Sequence, residues 1–249
     1  MLATAAAGGA WGWSLVGDRV LKTPRSVLDP ENITVEGVSD WVRGDLRTEA
    51  LANAQLGTPM LIDDPDLARS IARAFSMHPW VRQVEEVRLS HPASAVVRVA
   101  SREPIAMVRV EGGLLPIDGE SVVLPSDAFT SEQAASYPKV TGIQTSPRGP
   151  PGTPWGDPLV EQAAVLAAVV RPEWLALGLT ECHFDTEASR PGWRLLREPG
   201  GPIRFGPAPG FETPGEPSAA VKVARLRQLV TDPTDAPVDL TTLPSQDGT

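Results

Sequence analysis

From Asn32 the chain first alternates: Ile33 and Val35 fall on one side of an extended segment and Thr34 and Glu36 on the other, with Gly37 as the turn that follows. The period then lengthens. Leu46, Ala50, Leu51 and Ala54 recur at intervals of three and four behind Asp45, which predicts a capped helix ended by Gly57. A second helix is predicted from an Asp64 cap with Pro65 at its first position, its apolar stripe being Leu67, Ile71, Ala74 and Phe75. His78-Pro79-Trp80 ends it, because proline disfavours helical geometry in the residue before it. Period two then returns. Val87 and Leu89 alternate with Glu86 and Arg88, His91-Pro92 turns the chain, and Val97 and Val99 alternate with Arg98 before Arg102-Glu103-Pro104. This block reads β-α-α-β-β.

A second block opens on the apolar run 107–110. Short strands are predicted over 114–117 and 122–124, joined by the hairpin dipeptide Asp118-Gly119. Residues 145–158 are dense in proline and glycine and predict a loop, since proline cannot donate to a central ladder. Asp157-Pro158 starts a helix whose stripe is Leu159, Ala163, Leu166, Ala167 and Val170. Strands over 177–184, 193–197 and 203–205 predict an antiparallel sheet, with Gly200-Gly201 turning the second into the third. A helix over 218–230 with a Ser218 cap leads to a last strand over 238–240, and residues 242–249 read as a frayed tail. The expected fold class is α+β, a β-α-α-β-β block followed by a mainly antiparallel β-domain with flanking helices.

Composition narrows the function. The chain has 249 residues, 22 Lys+Arg against 31 Asp+Glu and a net charge of −9, which argues against nucleic-acid binding by a broadly basic surface. A lone cysteine, Cys182, supplies neither an internal disulfide nor a zinc cage. Residues 1–17 carry no charge and include Trp11 and Trp13, while Arg19, Lys22 and Arg25 follow. The run is shorter than the roughly 20 residues that span a bilayer. It predicts a transmembrane segment truncated at its start, followed by a linker over 18–30, with a plain Ala/Gly leader as the alternative.

Catalytic chemistry finds no support. No Gly-rich phosphate loop, His-Glu-x-x-His helix or Gly-x-Ser-x-Gly elbow occurs. His78 and His91 each precede a proline, and Cys182 and His183 are neighbours on a predicted strand, whose side chains point to opposite faces. Asp63-Asp64 reads as a helix start, Glu85-Glu86 as a strand edge, and Asn32-Ile33-Thr34 as a chance glycosylation triplet. Arg69, Arg73, Arg82 and Arg88 read as a solvated face. No catalytic residue, metal ligand or cofactor is expected; an extracytoplasmic enzyme would need a site assembled from dispersed residues.

Four words in the first block, Val35-Glu36-Gly37, the segment 63–67, Trp80-Val81-Arg82-Gln83-Val84 and Arg102-Glu103-Pro104-Ile105-Ala106, together resemble a POTRA domain over residues 31–106. With Ile117-Asp118-Gly119, Ile203-Arg204-Phe205-Gly206, Lys222-Val223-Ala224-Arg225-Leu226 and Val238-Asp239-Leu240, the order resembles the FtsQ/DivIB family of bacterial cell-division proteins, with its β-domain over 107–241. The resemblance implies a non-catalytic, single-pass inner-membrane scaffold of the divisome, extracytoplasmic in bulk and enriched at the septum. It also implies partners such as FtsB-like and FtsL-like coiled-coil proteins. Docking is expected at a terminal edge made by Val238, Asp239, Leu240 and Thr241, with Lys222 and Arg225 as polar neighbours, so that proline at Leu240 weakens capture without unfolding the chain. A POTRA-type binding module in envelope assembly or secretion is the alternative.

Overall fold

The computed structural model describes residues 26–242, which divide into two compact units between Arg102 and Glu103. The expected segment over 1–17 and the tail beyond Thr242 lie outside the described residues.

In the first unit β1 (Val27–Leu28) pairs antiparallel with β3 (Met60–Leu61), a small ribbon that the sequence pattern did not signal and that begins inside the segment read as a linker. Between them come β2 (Ile33–Glu36) and α1 (Leu46–Asn53). Asp45 caps α1 as its sequence position predicts, accepting from the Thr48 N–H at 3.2 Å. The second helix, α2 (Leu67–Ser76), begins later than expected. Asp64 does accept a backbone N–H, but that of Asp66 at 2.9 Å, so Asp64-Pro65 forms a turn ahead of the helix rather than its first residues. The expected stripe of Leu67, Ile71, Ala74 and Phe75 is buried. Two long strands complete the unit, β4 (Val81–Ser90) and β5 (Ser94–Ser101), and the sheet order is β2-β5-β4 with β2 parallel to β5.

The second unit is built on a seven-stranded sheet. Its strands are β6 (Pro104–Val110), β7 (Gly113–Asp118), β8 (Lys139–Thr141), β9 (Leu179–Asp185), β10 (Gly192–Arg197), β11 (Ile203–Gly206) and β12 (Val238–Asp239). Their order across the sheet is β12-β11-β10-β9-β8-β6-β7. The expected antiparallel ladder holds for β9, β10 and β11, but β8 is parallel to both β6 and β9, and β12 is parallel to β11. The sheet is therefore mixed, because the three-residue β8, which carried no readable period, inserts in parallel between β6 and β9. A short α3 (Ser131–Ala135), closed by a Thr130/Gln133 capping box, was likewise silent.

Asp118-Gly119 turns the chain, but into an isolated bridge between Ile117 and Val123 instead of a second full strand. The Asp118 carboxylate accepts the Glu120 and Val122 N–H groups at 2.9 Å each, beside two backbone bonds, from the Asp118 N–H to the Val122 carbonyl at 3.1 Å and from the Leu124 N–H to the Pro116 carbonyl at 2.8 Å. α4 (Pro158–Val170) starts on the expected Asp157 cap, which accepts from the Leu159 N–H at 2.8 Å. Its buried face uses Val160 where Leu159 was expected. The last helix is α5 (Ala219–Thr231).

Register explains where the core lies. Val108, Val140, Cys182, Leu195, Ile203 and Val238 form one row of mutually paired residues across six strands. All but Val238 are fully buried, and the row packs in one cluster with α4 and with Leu226 of α5. Shifted by one residue, the row Thr141, His183, Arg194, Arg204 and Asp239 is polar and faces the other way.

Candidate partner-docking edge

The six residues expected to meet a partner do gather at one end of the second sheet, yet they divide by environment. β12 is a terminal strand, so its far side has no neighbouring strand within the described residues. Val238 is half-buried against the core and Asp239 is exposed on the polar face. Leu240 follows the strand and is fully buried, and its N–H donates to the Arg204 carbonyl at 2.9 Å. Proline there would delete an internal bond and an apolar core residue, so the expectation that Leu240→Pro leaves the chain folded is reversed by the structure.

Lys222 also points inward. Its side chain is 0% exposed, with Nζ 2.6 Å from Glu216 Oε1 and 4.9 Å from the centre of the Phe205 ring. Glu216 is itself nearly buried and takes the Thr213 N–H and Oγ1 on its other oxygen. The pair ties the 207–217 loop down over β11. Gly206 makes that closeness feasible: φ is +77°, and a Cβ there would sit 2.6 Å from both Glu216 Oε1 and Thr241 Cγ2. A helix stripe alone does not separate a lysine that anchors a distant loop from one that faces solvent, which is why Lys222 read as a surface neighbour.

Arg225 has the surface role instead. Its guanidinium donates through Nη1 to the Thr242 carbonyl at 2.7 Å and through Nη2 to the Asp239 carbonyl at 2.9 Å. Thr241 is held by Asp239, whose Oδ1 accepts the Thr241 N–H at 2.8 Å and the hydroxyl at 2.6 Å. Beside this end lies a cleft of about 560 Å³ lined by Arg190, Arg204, Gly206, Glu216 and Thr241. Arg204 donates to the Arg190 carbonyl at 3.2 Å. With Glu216 committed to Lys222, the two arginines give the cleft a positive character. Neither they nor Glu216 belong to a readable motif, because they meet only when the loop folds back. The same loop starts α5: Ser218 sits at the cap position without a side-chain bond, and Glu212 accepts the Ala219 and Gly210 N–H groups instead. Burial pushes the Glu212 carboxyl up, and those amides and Lys222 more than offset it, leaving it below its usual range.

The other chemistry-bearing residues stand apart. Cys182 is fully buried; that burial, and next the Glu181 charge, push its thiol far above the ordinary range, away from nucleophilic use. His183 projects from the opposite face, where Thr141 Oγ1 lies 2.9 Å from its Nδ1 and 3.1 Å from Glu181 Oε2. His78 is buried 3.2 Å from Glu49, and His91 faces Asp63 at 3.8 Å. Among the described residues, no group of three or more His, Cys, Asp or Glu side chains is placed to hold a metal ion, and no helix is long and apolar enough to cross a membrane.

No family model matches the chain. Over 134 residues it is 31% identical to the cell division protein FtsQ of Myxococcus fulvus, an alignment that covers 53% of this chain and 43% of that protein. The chain thus spans less than half the length of the curated relative it matches.

Proposed function

We propose that the protein is a cell-division scaffold of the FtsQ/DivIB type. The observation that carries the reading is the 31% identity to a cell division protein FtsQ. The first unit supports it, since, apart from the small β1-β3 ribbon, β2, α1, α2, β4 and β5 come in the order of a POTRA domain, with a parallel β2-β5 pair beside an antiparallel hairpin. In this reading the first unit is a POTRA domain, the second is the β-domain, and a membrane anchor holds both outside the cytoplasm at the septum. The protein works without catalysis, by binding. Its partners are FtsB-like and FtsL-like coiled-coil proteins, which meet the end of the second sheet where β12 has no neighbouring strand on one side among the described residues.

The test is the position of a fluorescently tagged full-length copy in dividing cells, with depletion of the native protein followed in parallel. Enrichment at the division site and filamentation on depletion are expected. A uniform envelope signal with division intact overturns the reading and leaves a POTRA-type module of envelope assembly or secretion.

A further inference from the structure

A parallel pair fixes which backbone groups of β12 face away from β11. The Val238 N–H donates to the Pro202 carbonyl at 3.1 Å and the Leu240 N–H to the Arg204 carbonyl at 2.9 Å, both toward β11. Backbone groups alternate along a strand, so the N–H and C=O of Asp239 and the N–H of Thr241 face outward, where an added strand would pair. Two of these three are already held within the chain. The Asp239 carbonyl is held by Arg225 Nη2, the Thr241 N–H by the Asp239 carboxylate, and the Thr242 carbonyl just beyond by Arg225 Nη1. Arg225 is well placed for this, because α5 carries it above the strand with Gln228, Leu229 and Asp232 around a shallow groove against Val238 and Leu240.

We propose that Arg225 and Asp239 form a latch that closes the terminal edge of the second sheet, and that a partner segment pairs with β12 only by displacing it. The inference rests on the edge-docking reading above for its partner, an extended segment of another protein, but the latch itself rests on geometry within one chain. Its consequence is unusual for an arginine at a docking site: truncating it strengthens capture. Each bond it makes to a carbonyl lies at the surface and contributes modestly. Removing two, of about 0.5 kcal/mol each, tightens binding about fivefold at 1.4 kcal/mol per decade.

The experiment compares the wild-type chain with Arg225→Ala and Arg225→Lys. For each, capture of the FtsB-like and FtsL-like pair encoded in the same genome is measured by surface-immobilised binding, and amide hydrogen exchange over residues 238–242 is measured on the free protein. Arg225→Ala is expected to exchange several-fold faster at Leu240 and Thr241 and to capture the pair about fivefold more tightly. Arg225→Lys, a single point donor in place of a fork, falls between the two. Equal or weaker capture by Arg225→Ala overturns the latch. Should none of the three capture the pair, the docking reading fails; faster exchange in Arg225→Ala then still supports the latch, and unchanged exchange overturns it.

Discussion

Lys222→Ala tests most directly whether the end of the second sheet is built as described. The lysine ammonium is fully buried 2.6 Å from a carboxylate that is 6% exposed. At an effective dielectric constant near 20 such a pair attracts by roughly 6 kcal/mol. Truncation leaves Glu216 buried with only its two Thr213 bonds, which recover part of that attraction. The net cost of breaking a buried pair from one side is about 3–5 kcal/mol. For a unit of this size each kcal/mol shifts the midpoint by about 2–4 °C, so a fall of roughly 6–20 °C is expected. The assay is thermal unfolding at pH 7 followed by circular dichroism, completed as a cycle with Glu216→Gln and the double variant. The double variant should be less destabilised than the sum of the singles, because it leaves no unpaired charge. A Lys222→Ala midpoint within about 2 °C of wild type, inside the range of a surface substitution, would refute burial of the pair and return Lys222 to the solvated face.

Leu240→Ala should lose about 2–5 kcal/mol in urea unfolding and Leu240→Pro more, since the latter also deletes the bond to Arg204; a wild-type urea midpoint for Leu240→Pro would show that the residue lies outside the ladder. Gly142→Ala should destabilise by more than the roughly 1–3 kcal/mol of a left-handed residue, because φ is +85° and a Cβ would meet the Phe184 carbonyl oxygen at 2.4 Å; differential scanning calorimetry reads it, and an unchanged profile contradicts that close approach. Asp45→Ala should cost about 0.5–2 kcal/mol at pH 7. The bonds from Thr48, side chain first and backbone second, hold the Asp45 carboxyl below 3.8 in the folded chain. Its contribution is therefore complete above that value and lost as pH falls through the folded one, so the gap between wild type and variant should narrow below about pH 4. A gap constant from pH 7 to pH 3 would remove Asp45 from the cap.

What the sequence makes legible is whatever repeats with a period or sits next to its own partner. Asp45 and Asp157 cap the helices that begin right after them, and both were readable, as were the stripes of α2 and α4. The alternation along 177–184 placed Cys182 and His183 on opposite faces, as the register confirms. Contacts across many residues were not readable. β8 is three residues long, too short for a period, and only its parallel pairing with β6 and β9 places it inside the sheet. Lys222 and Glu216 lie close in sequence, yet nothing local says that the loop between β11 and α5 folds back to bury both. The sequence places Arg225 near the last strand, but that its fork grips the carbonyls on either side of Thr241 depends on how α5 packs beside β12.

The terminal strand is restrained from three directions, and these have different consequences. Leu240 anchors it through the core and the Val238 and Leu240 amides anchor it through β11, so loss of either unfolds this corner. Arg225 and Asp239 restrain only the outward side, at the surface, where the stability at stake is small. A two-residue strand with one face committed to the core has little freedom to move, so under the proposed edge docking a partner would have to come to it and compete for the groups that Arg225 and Asp239 already hold. Affinity at such an edge would then be a difference between two sets of similar hydrogen bonds rather than the sum of new ones. On the latch proposal, substitution of Arg225 on α5 should tune capture as strongly as substitutions in β12 itself.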